Sequence, residues 1–239
     1  MNRLGKVVAW IIGLIILFAL IKLPLPDVEE TMGFSLPLAG KTIVLDPGHG
    51  GPDGGAVGSD DTLEKDIALE VSKELRNYLQ QSGAIVYLTR ETDTDLADEN
   101  TKGLSRRKAE DIRKRMEFIH SHDADLFLTI HLNAIPSTKW SGAQTFYFPK
   151  SDEGKHLAQM IQAEIIRNLE NTNRSALAVN NLYLLKHAEV PGALVEIGFL
   201  SNVHERELLK TNTYQRQMAA SIYKGILRYV TEEPEVEEE

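Results

Sequence analysis

Four short apolar runs constrain this chain more than any other feature. They are TIVLD at 42–46, IVYLT at 85–89, LFLTIHL at 126–132 and ALVEI at 193–197. Each is rich in β-branched and large apolar residues, the composition of a buried strand. Between them lie stretches with helical periodicity. Over 64–81, Ile67, Val71, Leu75, Tyr78 and Leu79 share one face, and Gly83 follows as a stop. Over 104–120, Ile112, Met116 and Ile119 point inward, and over 153–169 so do Leu157, Met160, Ile161 and Ile165. Further strands are predicted at 143–148 and 182–185, a loop at 171–180, and closing helices at 204–210 and 214–230. Alternating strand and helix predict an α/β fold: a twisted, largely parallel sheet of about six strands with helices on both faces.

Ionisable groups interrupt these runs. His49 follows the first strand in the Gly-rich loop PGHGGPDGGAVG, and Glu64 opens the first helix. His131 ends the third strand, and Glu196 lies inside LVEIGF. Burying such a group is costly unless it is paired or bound to a metal. In open α/β sheets, ligands gather at the carboxyl ends of strands, so the fold brings these residues toward one rim. Two His and one Glu form a set that zinc commonly takes, with one position left open in catalytic sites. His49, Glu64 and His131 are therefore the candidate Zn2+ ligands. Glu196, left off the metal, suits a general base.

Plainer roles exist for each residue taken singly. His49 could hydrogen-bond within its loop, Glu64 could simply favour the helix N-terminus, and His131 could be a satisfied core histidine. Glu196 is hardest to explain away, because a carboxylate in an apolar strand needs a partner. A phosphate-binding loop is the rival for GHGGPDGG, but GxxxxGK[ST] is absent and GxGxxG does not open a helix there. A serine hydrolase fails for lack of GxSxG.

Composition excludes other classes. The 239 residues contain no cysteine, so disulfides, thiolate metal sites and cysteine nucleophiles are ruled out. The net charge of −9 argues against a nucleic-acid partner. The tail TEEPEVEEE carries six of the acids and no base, and without it the balance is about −3. Residues 231–239 are read as an acidic disordered tail. At the other end, residues 7–21 are apolar with one glycine, preceded by Arg3 and Lys6 and followed by Asp27, Glu29 and Glu30. As a helix, this segment spans ~22 Å, short of the ~30 Å hydrocarbon core unless Leu23 and Leu25 extend it. The charge asymmetry predicts a cytoplasmic N-terminus and an exported domain. A secretory signal peptide has the same layout. With no A-x-A-type cleavage site, the reading favours a signal-anchor over residues 1–23, giving membrane contact. Pro24, Pro26, Gly33 and Pro37 mark 24–40 as a linker, leaving 41–230 as the catalytic domain.

With these residues in hand, the chain resembles the zinc-dependent N-acetylmuramoyl-L-alanine amidases of the bacterial cell wall, the Amidase_3 family. The likeness covers about 41–230. It is carried in order by IVLDPGHGGPDGGAVG, EKDIALEVSKEL, VYLTRETD, ADLFLTIHLNA, GAQTFYF and PGALVEIGFLSN. The resemblance implies zinc on His49, Glu64 and His131, and catalysis by Glu196. It also implies hydrolysis of the amide between the lactyl group of N-acetylmuramic acid and the L-alanine of the peptidoglycan stem peptide. The short plan, with an N-terminal apolar segment and no wall-binding repeats, is that of the family's spore-germination branch. That implies spore-cortex peptidoglycan as substrate, on the way to muramic-δ-lactam. Ile119-His120 departs from an Ala-Asn pair common in the family. Asn133, Arg90 and His187 are the candidate substrate-binding residues, while His156 and His204 read as exposed helix residues. Alternatives left open are a zinc deacetylase or peptidase on another wall bond, and a non-catalytic wall-binding protein.

Overall fold

A computed structural model describes residues 36–232 together with residues 5, 10–15 and 18. The chain divides into two units, 1–35 and 36–239. In the first, residues 10–15 and 18 are helical and exposed. Among the described residues, no helix is long and apolar enough to cross a membrane. Most of the expected signal-anchor, the linker over 24–35 and the tail beyond 232 lie outside the described residues.

The second unit runs β1 (Thr42–Pro47), α1 (Glu64–Gln81), β2 (Ile85–Leu88), α2 (Leu104–Ser121), β3 (Leu126–Asn133), β4 (Gln144–Tyr147), α3 (Asp152–Leu169), β5 (Leu177–Ala178), α4 (Tyr183–His187), β6 (Gly192–Phe199), α5 (Val203–Leu209) and α6 (Asn212–Thr231). The six strands form one sheet in the order β2-β1-β3-β6-β4-β5. All pairs are parallel except β4 with β6. The predicted α/β architecture is therefore the observed one. Side chains alternate across the sheet. Leu126, Leu128, Ile130, Ala193, Val195 and Ile197 join Ile43 and Leu45 in the larger core, with α1, α3 and α6. Val44, Phe127 and Leu194 face the other way and pack against Met116 and Ile119 of α2 and Leu184 and Leu185 of α4. Side-chain caps start three helices: Ser151 accepts from Gly154 N, Asn202 from Glu205 N and Thr211 from Tyr214 N.

Several expectations need correction. The run at 182–185 is not a strand but the start of α4. Consecutive Leu184 and Leu185 are both buried, which a helix permits and an alternating strand does not. The edge strand beside β4 is β5, within the stretch read as loop. At two residues it has no period to detect. In α2, Ile112 is 36% exposed, and polar Asp111 and Arg115 point inward instead. His156 is 6% exposed, packed at a tilt against the Tyr229 ring and bonded to the Glu232 carbonyl, not free on a helix surface. Leu38 is fully buried and donates its N–H to the Ser82 carbonyl, so the compact unit starts before residue 41.

A candidate metal centre beside a buried carboxylate

The sheet places three polar side chains in one row. His131 on β3 is in register with Glu196 on β6, and Glu196 is in register with Gln144 on β4. Residues directly opposite share a face, so all three project from the face covered by α2 and α4. That pairing brings two residues 65 apart in sequence to adjacent strands.

Glu64 reaches this row from the first turn of α1. The residue is 2% exposed. One oxygen, Oε1, lies 2.8 Å from His131 Nδ1 and accepts the Leu132 N–H at 2.8 Å. The other, Oε2, lies 3.2 Å from His49 Nε2 and accepts the Ala56 N–H at 2.6 Å. Burial raises the Glu64 pKa, but the two imidazoles outweigh it and hold the carboxyl well below its ordinary range. One ligand atom from each of His49, Glu64 and His131 lies within 4.8 Å of the others. Two nitrogens and a carboxylate that close suit a divalent ion such as zinc.

The loop around His49 is built for close approach. His49 has φ 61°, a left-handed conformation that is uncommon for a side chain of this size. A Cβ on Gly48 would overlap the His131 ring, and one on Gly55 would overlap Glu64 and His49. His49 Nδ1 meets Asp53 Oδ2 at 2.8 Å, which turns Nε2 toward Glu64. Lys108 also pairs with Asp53, at 2.9 Å. Burial alone would lower the His49 pKa, but Glu64 and Asp53 outweigh it and raise it above 6.5. Asp53 was not singled out from sequence. Its signal was a carboxylate four residues after a candidate ligand, a common way to fix an imidazole's orientation.

Two arginines hold the loop from below. Arg115, 2% exposed, pairs with Asp46 at 2.7 Å and with Asp111 at 2.9 Å. It also donates to the Pro47 and His49 carbonyls at 2.7 and 2.5 Å. Asp46 accepts further from Thr89 and Thr129. Burial raises the Asp46 pKa, but Arg115 and the hydroxyls outweigh it and bring it below 3.8. Arg90, expected at the substrate, is 3% exposed, and its nitrogens donate to the carbonyls of Pro47, Gly48, Lys65 and Thr92. It is a brace for the loop, because its donors are consumed by backbone. The 91–103 segment beside it is tied in place through Lys65–Asp93 at 2.7 Å, the two-pronged Arg107–Asp95 pair and Leu96 N to Asp111 at 2.7 Å.

Glu196 sits beside the three candidate ligands without joining them. Among the described residues its buried Oε2 has no hydrogen-bond partner. Burial pushes its pKa up to about 7; His131 and His49 pull it down, and Glu64 pushes it up. Asn133 stands two residues beyond His131 at the strand end, half-buried. His187, also expected near substrate, closes α4 five residues before β6 begins. It is exposed, tilted against the Tyr183 ring, and forms no hydrogen bond to the three candidate ligands.

A nitrogen–carboxylate cluster beside a half-buried carboxyl with one unpartnered buried oxygen, toward the carboxyl rim of an α/β sheet, defines a candidate metal-dependent hydrolase. The model of the family N-acetylmuramoyl-L-alanine amidase, Amidase_3, matches residues 43–228, and the chain belongs to that family of amide hydrolases. It is 54% identical over 232 residues to the germination-specific N-acetylmuramoyl-L-alanine amidase of Bacillus subtilis strain 168, spanning 97% of this chain and 98% of that protein. It is 33% identical over 195 residues to N-acetylmuramoyl-L-alanine amidase LytC of the same organism, spanning 81% of this chain and 36% of LytC. The solved structure of the CwlD amidase from Clostridioides difficile, in complex with the GerS lipoprotein, matches with a TM-score of 0.78 and 43% identity. That match covers 80% of this chain and 98% of the CwlD chain.

Proposed function

We propose that the protein hydrolyses the amide between N-acetylmuramic acid and L-alanine in spore-cortex peptidoglycan, as a step toward muramic-δ-lactam. In this reading zinc is held by His49, Glu64 and His131. When bound, zinc supplies Lewis acidity, polarising the scissile carbonyl and easing loss of a proton from water. Glu196 receives that proton on its carboxylate and hands it to the nitrogen of the departing alanine, leaving a lactyl carboxylate and a free amine. Glu64 and Asp53 orient the two imidazoles, and Arg115 and Arg90 hold the loop that carries His49. Asn133, on the face of β3 that carries His131, is assigned to substrate contact.

The observation that carries the reading is the unpartnered buried oxygen of Glu196 beside the candidate ligands. A structural carboxylate in an apolar strand would be paired. Product analysis on purified cortex peptidoglycan tests it. Stem peptides with free N-terminal alanine are expected. Released acetate, or peptides cut elsewhere with the alanine still attached to sugar, would overturn the assignment.

The export reading rests on the charge asymmetry of the N-terminal segment. Residues 1–23 act as a signal-anchor or signal peptide, the residues from 24 to the compact unit's start before 41 as a linker, and the catalytic domain works outside the cytoplasmic membrane. A reporter fused after Val230 that is active only in the cytoplasm would refute this. The complex of the C. difficile relative with a lipoprotein supports a protein partner here as well. In-cell crosslinking from the catalytic domain should yield a discrete adduct, and its absence would count against one.

A further inference from the structure

Beyond Glu196, the carboxyl rim of the sheet carries a cationic shelf that the proposed reaction leaves unused. On β3, His131 and Asn133 are two residues apart, while their partners on β6, Glu196 and Phe199, are three apart. This irregularity inserts one residue into β6, as a bulge does, and such insertions re-aim side chains near active sites. Phe199 is thereby turned to the face that carries Glu196, about 7 Å farther along the strand.

Arg174 stands over this ring. Its guanidinium carbon is 5.4 Å from the Phe199 centroid and 5.8 Å from that of Trp140, which is itself 54% exposed. Nη1 donates to the carbonyls of Ser141 and Gly142 at 2.7 and 2.6 Å. Among the described residues, Nε and Nη2 have no partner, and no carboxylate pairs with this arginine. Glu205 is the nearby acid, but its oxygens accept the Gly142 and Phe199 N–H groups at 2.7 and 2.8 Å. The segment after Arg174 is joined to the catalytic row, because Gln144, in register with Glu196, donates its side-chain amide to the Ser175 carbonyl at 3.0 Å. Stacking and two carbonyls thus fix one edge of a guanidinium and leave the other edge open.

An open, pre-oriented guanidinium edge matches a carboxylate, which it can grip with two parallel hydrogen bonds. On the sugar side of the scissile amide the substrate is neutral N-acetylated glycan, and its lactyl carboxyl is consumed in the amide itself. A carboxylate within reach therefore belongs to the peptide. At about 3.3 Å per extended residue, the shelf lies one or two residues beyond the alanine. We propose that Arg174, held between Phe199 and Trp140, binds a carboxylate on the stem peptide one or two residues past the alanine and so determines specificity for acidic peptides. This rests on the amidase reading above.

The test uses the full chain and two soluble substrates. Both are N-acetylmuramoyl-L-alanyl peptides with the same next residue, carrying either free carboxylates or carboxamides. The wild-type protein should prefer the acidic substrate, mainly through KM. Arg174→Gln should lower kcat/KM on the acidic substrate by about 10–100-fold, the range of a lost charge-assisted hydrogen bond, with a smaller loss on the carboxamide. Arg174→Lys should restore part of the preference. Should the variants fail to fold, inhibition of the wild-type protein by free alanyl peptides provides a second measurement: the acidic peptide should inhibit more strongly than its carboxamide. Cleavage of both substrates at equal kcat/KM, or a preference that survives in Arg174→Gln, would overturn the inference. Cleavage of neither would instead overturn the amidase reading.

Discussion

Replacing Glu196 with glutamine should move activity and stability in opposite directions. The amide keeps the side chain's shape but cannot accept a proton, and general acid–base groups typically contribute ~10²–10⁴-fold in rate. Stability follows from the carboxyl's pKa, raised by burial from 4.5 to about 7. Between those values the folded protein binds more protons at this site than the unfolded chain does, so stability falls as pH rises. Above pH 7 the ionised group costs the metal-free fold up to about 3 kcal/mol, at about 1.4 kcal/mol for each tenfold change in proton affinity. Glutamine removes that penalty. The metal-free variant should therefore melt higher than metal-free wild type at pH 8, by several degrees for a domain of this size, and the gap should close near pH 4.5. A cation at the candidate ligands favours the carboxylate form and should narrow the gap. Differential scanning calorimetry at both pH values, with elemental analysis and peptide-release rates on the same preparation, checks each part. A destabilised variant with near-normal turnover would show that Glu196 is a structural strand residue and would refute the reasoning.

Four other perturbations probe the rest of the site. His131→Ala removes one of three protein ligands and should sharply lower zinc content and abolish activity; stoichiometric zinc in that variant by elemental analysis would reject the ligand set. Asp53→Asn should weaken zinc binding by about 10–100-fold, measured by chelator competition, and unchanged affinity would remove Asp53 from the design. Because His49 must be neutral to bind and its pKa is raised above 6.5, zinc affinity should fall as pH drops through that raised value; a pH-flat affinity between 6 and 8 would contradict this. Arg115→Met leaves Asp46 buried without its cation and should cost about 3–5 kcal/mol in urea unfolding, partly recovered by adding Asp46→Asn. A loss under about 1 kcal/mol would mean the pair does not hold the loop.

The sequence made some of this legible because periodicity reports burial. His131 could be read as a candidate because it is a polar intrusion into an apolar pattern, and β3 is long enough to show one; Glu64 was legible only as an acid opening the helix that follows the His49 loop. Leu182–Leu185 shows the limit. Four apolar residues fit a strand or one buried helical turn equally well, and only the packing of Leu184 and Leu185 against α2 decided it. Arg90 and Arg115 mark a second limit. A charged residue's role depends on which acceptors lie within reach, and those acceptors are backbone carbonyls of a loop some 40 and 70 residues earlier. Neither composition nor spacing encodes that contact. Arg115, on a helix whose apolar pattern marked only Ile112, Met116 and Ile119, therefore carried no signal.

That difference bears on how the site is held. The candidate ligands come from a loop, a helix start and a strand end, and of these only the loop lacks a regular hydrogen-bond ladder to fix it. The structure supplies the deficit with Arg115 and Arg90, whose donors meet the carbonyls of Pro47, Gly48 and His49 from beneath. Asp46 is the pivot. It ends the apolar run of β1, and its charge makes a buried arginine tolerable there. The aspartate of the DPGH stretch therefore acts on the site indirectly: its side chain bonds Thr89, Thr129 and Arg115 rather than the candidate ligands, and it fixes the cation that holds His49 in its left-handed conformation. The two substitutions at this pair should accordingly separate. Arg115→Met disturbs both fold and zinc affinity, whereas the double change with Asp46→Asn recovers fold stability but not the grip on the His49 carbonyl, so zinc affinity should stay low in a protein that melts closer to normal.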